Sequence, residues 1–231
     1  MLLEAQDHAR IAQAVAAAEA TTSGEIVCVV TNEAAPYAEV PLAWAALGAL
    51  VLPVALLAAA SATRHFDYTF GGWTAGHIGA VHAAVLTTLS GYVLLQCLLF
   101  AGIFALVSVP AIRRRLTPLS LRRMRVRERA LEQFFVRGLG STRERTGVLI
   151  FVSLKDRRAE VLADSGISGR VDPSVWDGVV AELVDGVRAG RPGDGLVAAV
   201  ERCGRILTKS FPAQPGNPNE LPDTLAETDL T

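Results

Sequence analysis

Thr146 to Asp164 reads TGVLIFVSLKDRRAEVLAD. The segment Gly147 to Leu154 is a continuous apolar run, β-branched and too short for a helix, so it reads as a strand covered on both faces. Lys155-Asp156-Arg157 supplies a polar turn. After it Ala159, Val161 and Ala163 alternate with polar neighbours, as the returning strand of a hairpin does. Upstream, Ile11, Val15 and Ala18 recur at helical spacing, Thr22-Ser23-Gly24 interrupts them, and Glu25 to Thr31 (EIVCVVT) is a second short buried strand. Just before the central segment, Ala130, Phe134 and Gly138 share a helical face with Leu131 and Phe135 beside it, and Gly138 or Gly140 ends that helix. Downstream, Asp172-Pro173-Ser174 starts a helix with the stripe Val175, Val179, Leu183, Val187. A last helix opens at Gly193-Asp194-Gly195, with Leu196, Val200, Cys203 and Leu207 as its stripe. From Phe211 the chain turns to Pro, Asn, Glu and Asp, and 211–231 is expected to be a disordered tail. Strands alternating with helices place the fold in the α/β class, as a small three-layer α/β/α sandwich.

That sandwich is interrupted. The 231 residues are 51% hydrophobic and only 19% charged, with a mean hydropathy of +0.34 and a net charge of -1, against about 25% charged in an ordinary globular chain. The missing charge is localised, since 40–63 and 68–112 contain no Asp, Glu, Lys or Arg. About 20 apolar residues cross a bilayer, so two spans are expected at about 42–62 and 84–110, forming a transmembrane hairpin over 41–112. Pro53 is tolerated inside the first as a kink, and Gln96 in the second reads as an amide facing the partner helix. Residues 1–40 and 113–210 then form one discontinuous domain.

Arg113, Arg114, Arg115, Arg122, Arg123 and Arg125, followed by Arg127 and Arg129, face a single acid, Glu128, whereas the loop between the spans has only Arg64 opposed by Asp67. The positive-inside rule puts the arginine stretch, and with it both termini, in the cytoplasm of a bacterial cell, with the hairpin in its inner membrane. Contact with the lipid bilayer explains the arginines without a nucleic-acid partner, because no aromatics interleave them for base stacking. The exported loop, His65 to His82, holds Phe66, Tyr68, Phe70 and Trp73 as interfacial aromatics, and its three histidines have no regular ligand spacing. Cys28, Cys97 and Cys203 lie too far apart in sequence to suggest a zinc site or a disulfide partner.

Taken in order, Ser23-Gly24-Glu25-Ile26-Val27, then Thr146 to Leu154 with Asp156-Arg157, then Arg158-Ala159-Glu160-Val161, then Gly193-Asp194-Gly195-Leu196 resemble the TPM domain, a family named for a thylakoid-lumen protein, a photosystem II repair protein and a nematode receptor modulator. The resemblance spans about 140 residues, and the order of the motifs carries it. It implies a membrane-attached α/β/α domain that serves assembly or maintenance of membrane protein complexes, with another membrane protein as partner. For some members it implies phosphatase activity and calcium binding. The chain departs from the family in the hairpin after its first strand and in a glycine-rich acidic turn reduced to Ala163-Asp164-Ser165-Gly166.

Asp156, Asp164 and Asp194 fall on the matching segments and are the candidate ligands for a hard cation, Ca²⁺ or Mg²⁺, which prefers several oxygen donors. Each has a plainer role available: a turn residue, a strand-end acid and a helix cap. Arg157, Arg158 and Arg170 could stabilise a phosphoryl group or be ordinary surface charges. No GxSxG, Walker A or HExxH pattern occurs, and His8 is the only histidine outside the hairpin. The leading expectation is a binding or regulatory module, with a metal-dependent phosphatase as the alternative.

Overall fold

The computed structural model describes residues 2–62, 75–214 and 219–228, and these form two compact units, 1–36 with 118–231 and 37–117. Of the expected loop His65 to His82, residues 65–74 lie outside the described residues, while 75–82 are not loop but belong to the helix Ala75–Ser108.

In chain order the elements are α1 (Ala5–Glu19), β1 (Glu25–Thr31), α2 (Glu39–Ala62), α3 (Ala75–Ser108), α4 (Pro110–Leu116), α5 (Leu119–Val136), β2 (Gly147–Ser153), β3 (Arg158–Ala163), α6 (Ser165–Ser168), α7 (Val175–Arg188), α8 (Pro192–Ser210) and β4 (Ala226–Thr228). The first unit is a four-stranded sheet in the order β3-β2-β1-β4. β1 runs parallel to β2 from Glu25 opposite Gly147 to Thr31 opposite Ser153, and β3 returns antiparallel along β2.

Both central strands are apolar between their ends because each face of the sheet is covered. Ile26, Cys28 and Val30 with Val148, Ile150 and Val152 point to one side, against Ile11 and Val15 of α1, Val179 and Leu183 of α7, and Leu196, Val200 and Leu207 of α8. The alternate residues Val27, Val29, Leu149 and Phe151 point to the other, against Val126, Ala130 and Phe134 of α5 and Leu139 after it. This is a three-layer α/β/α sandwich. Gly138, at φ 72°, takes the left-handed conformation that ends α5. α7 and α8 cross where Gly186 meets Gly195, so closely that a methyl group on Gly186 would stand 2.6 Å from the Gly195 Cα.

The expected disordered tail requires correction. Phe211 is buried and accepts a hydrogen bond from Ser23 N at 3.0 Å, and β4 pairs parallel with β1 through Val29 to Thr31. Backbone pairing does not depend on side-chain polarity, so an edge strand can be built from the polar AET segment once Leu225 is buried beside it.

The second unit holds two helices long and apolar enough to cross a membrane, over Glu39–Ala59 and Ala84–Ser108. Pro53 lies inside α2 without ending it. The second span stops at Ser108, short of the expected 110, because Val109 precedes Pro110 and takes an extended conformation. Gly48 admits Ile103 of α3 close against α2, and Gln96 is half-buried.

Candidate functional site

Since β1 and β2 are parallel, Thr31 and Ser153 leave the sheet at the same end, which in open α/β sheets is where ligands are taken up. Asp156 sits there, buried in the turn between β2 and β3, and its Oδ2 accepts from Ser153 Oγ at 2.6 Å and from Ala34 N at 3.0 Å. Lys155 N donates to Asn32 O at 2.9 Å, so the turn is tied to the chain leaving β1. Arg157 closes it at φ 50°. Asp156 therefore points into the protein while Lys155 and Arg157 point out.

Arg158, half-buried, begins β3 beside this turn. Arg127 Nη1 of α5 donates to Glu160 Oε1 of β3 at 2.9 Å. Arg123 is one turn before Arg127 on the helix, and Arg158 is two residues before Glu160 on the strand, so that pair sets Arg123 and Arg158 on facing surfaces. Arg122 and Arg188, from the last turn of α7, complete the group. Burial first, then the charges of Arg123 and Arg122, hold the Arg158 guanidinium below its ordinary pKa, with Arg188 adding to this and Asp156 opposing it. Among the described residues no carboxylate pairs with Arg122, Arg123, Arg157 or Arg158, and Arg188 meets only exposed Asp185 at 3.7 Å.

The other candidate acids lie elsewhere. Asp164 caps α6, with its Oδ1 accepting from Ser165 N at 2.6 Å, and its own N donates to Gly147 O at the start of β2. The length of β2, at about 3.3 Å per residue, therefore puts roughly 20 Å between Asp156 and Asp164. Asp194 is in the first turn of α8 but is not its cap. It accepts from Arg10 Nη2 at 2.7 Å, and that hydrogen bond holds its carboxyl below the usual range. Asp156, Asp164 and Asp194 do not furnish one coordination sphere, and no cluster of three His, Cys, Asp or Glu suited to a metal occurs among the described residues. The donor set does not fit a shared Ca²⁺ or Mg²⁺. Nor do the phosphoryl candidates converge, since Arg170 stacks over Phe211 at 5.1 Å. Of the arginines expected at a membrane surface, Arg113 to Arg115 lie in α4, Arg122, Arg123 and Arg125 in α5, and Arg125 pairs with Glu128 at 3.0 Å.

Two features escaped the sequence reading. Glu19, at the end of α1, accepts from Ile26 N at 2.7 Å, and burial, reinforced by Glu25 and Asp223, raises its pKa to about 8. Glu25 is itself 3% exposed and accepts from Leu221 N at 3.2 Å. An acid opening the apolar run EIVCVVT was the signal. The second feature is the outer face of α5, opposite Val126, Ala130 and Phe134, where Met124, Leu131 and Phe135 are exposed, Phe135 at 72%. Cys28 and Cys203 are buried and free, and burial pushes the Cys28 thiol up to about 12, which leaves it inert.

The family model described as TPM domain matches residues 115–206. The fold is similar to the NMR structure of BA42 protein from the psychrophilic bacterium Bizionia argentinensis, at 19% identity and a TM-score of 0.54, covering 98% of this chain and 95% of that one. At that identity the likeness is one of fold. No curated protein matches the chain.

Proposed function

We propose, from the premise that this chain carries a TPM domain, that it is a membrane-attached binding or regulatory module serving assembly or maintenance of a membrane protein complex. The two apolar helices interrupt the α/β unit between β1 and α5. If they lie in a bacterial inner membrane, the arginines after the second span favour a cytoplasmic α/β unit with both termini on that side.

The observation that carries the reading is the outer face of α5. Leu121, Met124, Glu128, Leu131 and Phe135 follow one another at spacings of 3 and 4 residues, the seam spacing of paired helices. Apolar side chains left in water forfeit about 25 cal/mol per Å² that burial against a partner would recover. Glu128 in the middle of the ridge is neutralised by Arg125 at 3.0 Å, so the ridge offers an apolar stripe with one ion pair at its edge, which a helix of another membrane protein can cover. The alternative, a metal-dependent phosphatase, has less support because its acids stand at opposite ends of the sheet.

The test places a photo-crosslinking phenylalanine analogue at Leu131 or Phe135 in the full chain in its own membrane, with exposed Arg205 as control position. Discrete protein adducts are expected from the ridge and not from the control. Adducts to lipid alone, or the same adducts from both positions, would overturn the reading.

A further inference from the structure

β3 packs against both α5 and α7, and its first residue, Arg158, lies within reach of Arg122 and Arg123 from the start of α5 and of Arg188 from the end of α7, with Lys155 and Arg157 in the turn just before it. The acids nearby are engaged. Asp156 is turned inward to Ser153 and Ala34, and Glu160 is held by Arg127. Like charges repel at this range, and Arg158 is held below its ordinary pKa by its arginine neighbours as well as by burial.

We infer that this corner is a contact site for the phosphates of anionic phospholipid headgroups. Guanidinium groups match phosphate oxygens through paired N–H donors. The cations spread across two helix ends and a hairpin tip, with Arg123, Lys155, Arg157 and Arg188 all exposed, which suits many phosphates on a surface better than one enclosed anion. Only Pro118 to Leu121 separate Arg122 from the unit that holds the two apolar helices, and tethering at two points of the chain raises the effective concentration of headgroups at the site. Leu131 and Phe135 lie about 14 and 20 Å along α5 from Arg122, so the far end of the ridge and the cationic corner can be occupied together. The inference rests on the membrane-attached reading.

The experiment reconstitutes the full chain into phosphatidylcholine vesicles, with or without about 30% phosphatidylglycerol, and follows phenylglyoxal modification of each arginine by mass spectrometry. Modification of Arg122, Arg123, Arg157 and Arg158 is expected to slow about threefold or more in the anionic vesicles, while exposed Arg143 is unaffected. In R158E/R188E the protection of Arg122 and Arg123 should disappear. Equal rates in both vesicles would overturn the inference, and so would full protection by inorganic phosphate added to neutral vesicles, which would mark a small-anion site. Carbonate washing separates the two levels. A chain that stays with the vesicles yet shows no protection refutes only the headgroup site, whereas a chain released by carbonate refutes membrane attachment as well.

Discussion

Ser153, the last residue of β2, donates its hydroxyl to Asp156 Oδ2 at 2.6 Å, and both residues are buried. The same carboxylate oxygen receives Ala34 N, so one side chain joins the end of β2 to the chain leaving β1. Asp156 thus closes the carboxyl end of the sheet from inside and leaves the cations of its turn facing out.

Removing that carboxylate should loosen the parallel pair. Asp156→Ala leaves the Ala34 N–H and the Ser153 hydroxyl without an acceptor, a loss of about 2–3 kcal/mol, and Asp156→Asn should cost about half as much. Hydrogen exchange of the Val148 to Val152 amides in the full chain reads this directly. Unchanged protection in the alanine variant would show that the two hydrogen bonds do not hold the strands.

Glu19 makes the α/β unit lose stability as pH rises from acid to neutral. Its folded pKa of about 8 lies above the ordinary 4.5, so the folded state holds a proton that the unfolded chain has released. The resulting stability is full below about pH 4.5 and is lost as pH rises to about 8. Partial solvent screening reduces the loss to about 2 kcal/mol. Glu19→Gln should flatten the fall in β1 amide protection between pH 5 and pH 8. An identical slope in the variant would assign the proton to another group, with Glu25 the first to examine, since burial raises its pKa too.

Divalent cations should have little effect on the unit. With Asp164 capping α6 and Asp156 turned inward, Ca²⁺, Mg²⁺ and Mn²⁺ are expected to shift the melting temperature by less than about 1 °C, where saturation at 100 times Kd would add about 2.7 kcal/mol. Asp164→Ala should lose about 1 kcal/mol through the cap alone, equally with cation or chelator. A saturable shift of several degrees that Asp164→Ala abolishes would establish a metal site at the end of β3.

The crossing of α7 and α8 leaves no room for a methyl group. Gly186→Ala would drive its Cβ against the Gly195 backbone, and the two helices should separate at a loss of about 2 kcal/mol. Gly190→Ala, at φ 73° in the open turn between the helices, meets no atoms and should cost about 1 kcal/mol through backbone strain. Equal losses in the two variants, read by protection of α8 amides, would disprove the close crossing.

The element order was legible because periodicity is a local property. GVLIFVSL cannot bury its apolar residues except as a covered strand, and the uncharged stretches before Arg64 and Arg113 can be helices of membrane-spanning length whatever surrounds them. Gly193-Asp194-Gly195 was legible as a helix start, but its glycines are explained only by what touches them, Asp7 at Gly193 and Gly186 at Gly195. The separation of Asp156 from Asp164 depends on the antiparallel return of β3, which places residues eight apart in sequence at opposite ends of β2. β4 was hidden because an edge strand is held by backbone hydrogen bonds, which leave no apolar pattern in a tail of Pro, Asn, Glu and Asp. The raised pKa of Glu19 comes first from burial under the packed sheet, and the arginines around Arg158 come from groups far apart in the chain and brought together by the sheet. Local periodicity thus determined the long helices, the strands β1 to β3 and the break between the two units, while β4, charge proximity, burial and the direction each acid faces were decided by tertiary packing, because those energies depend on distance in space.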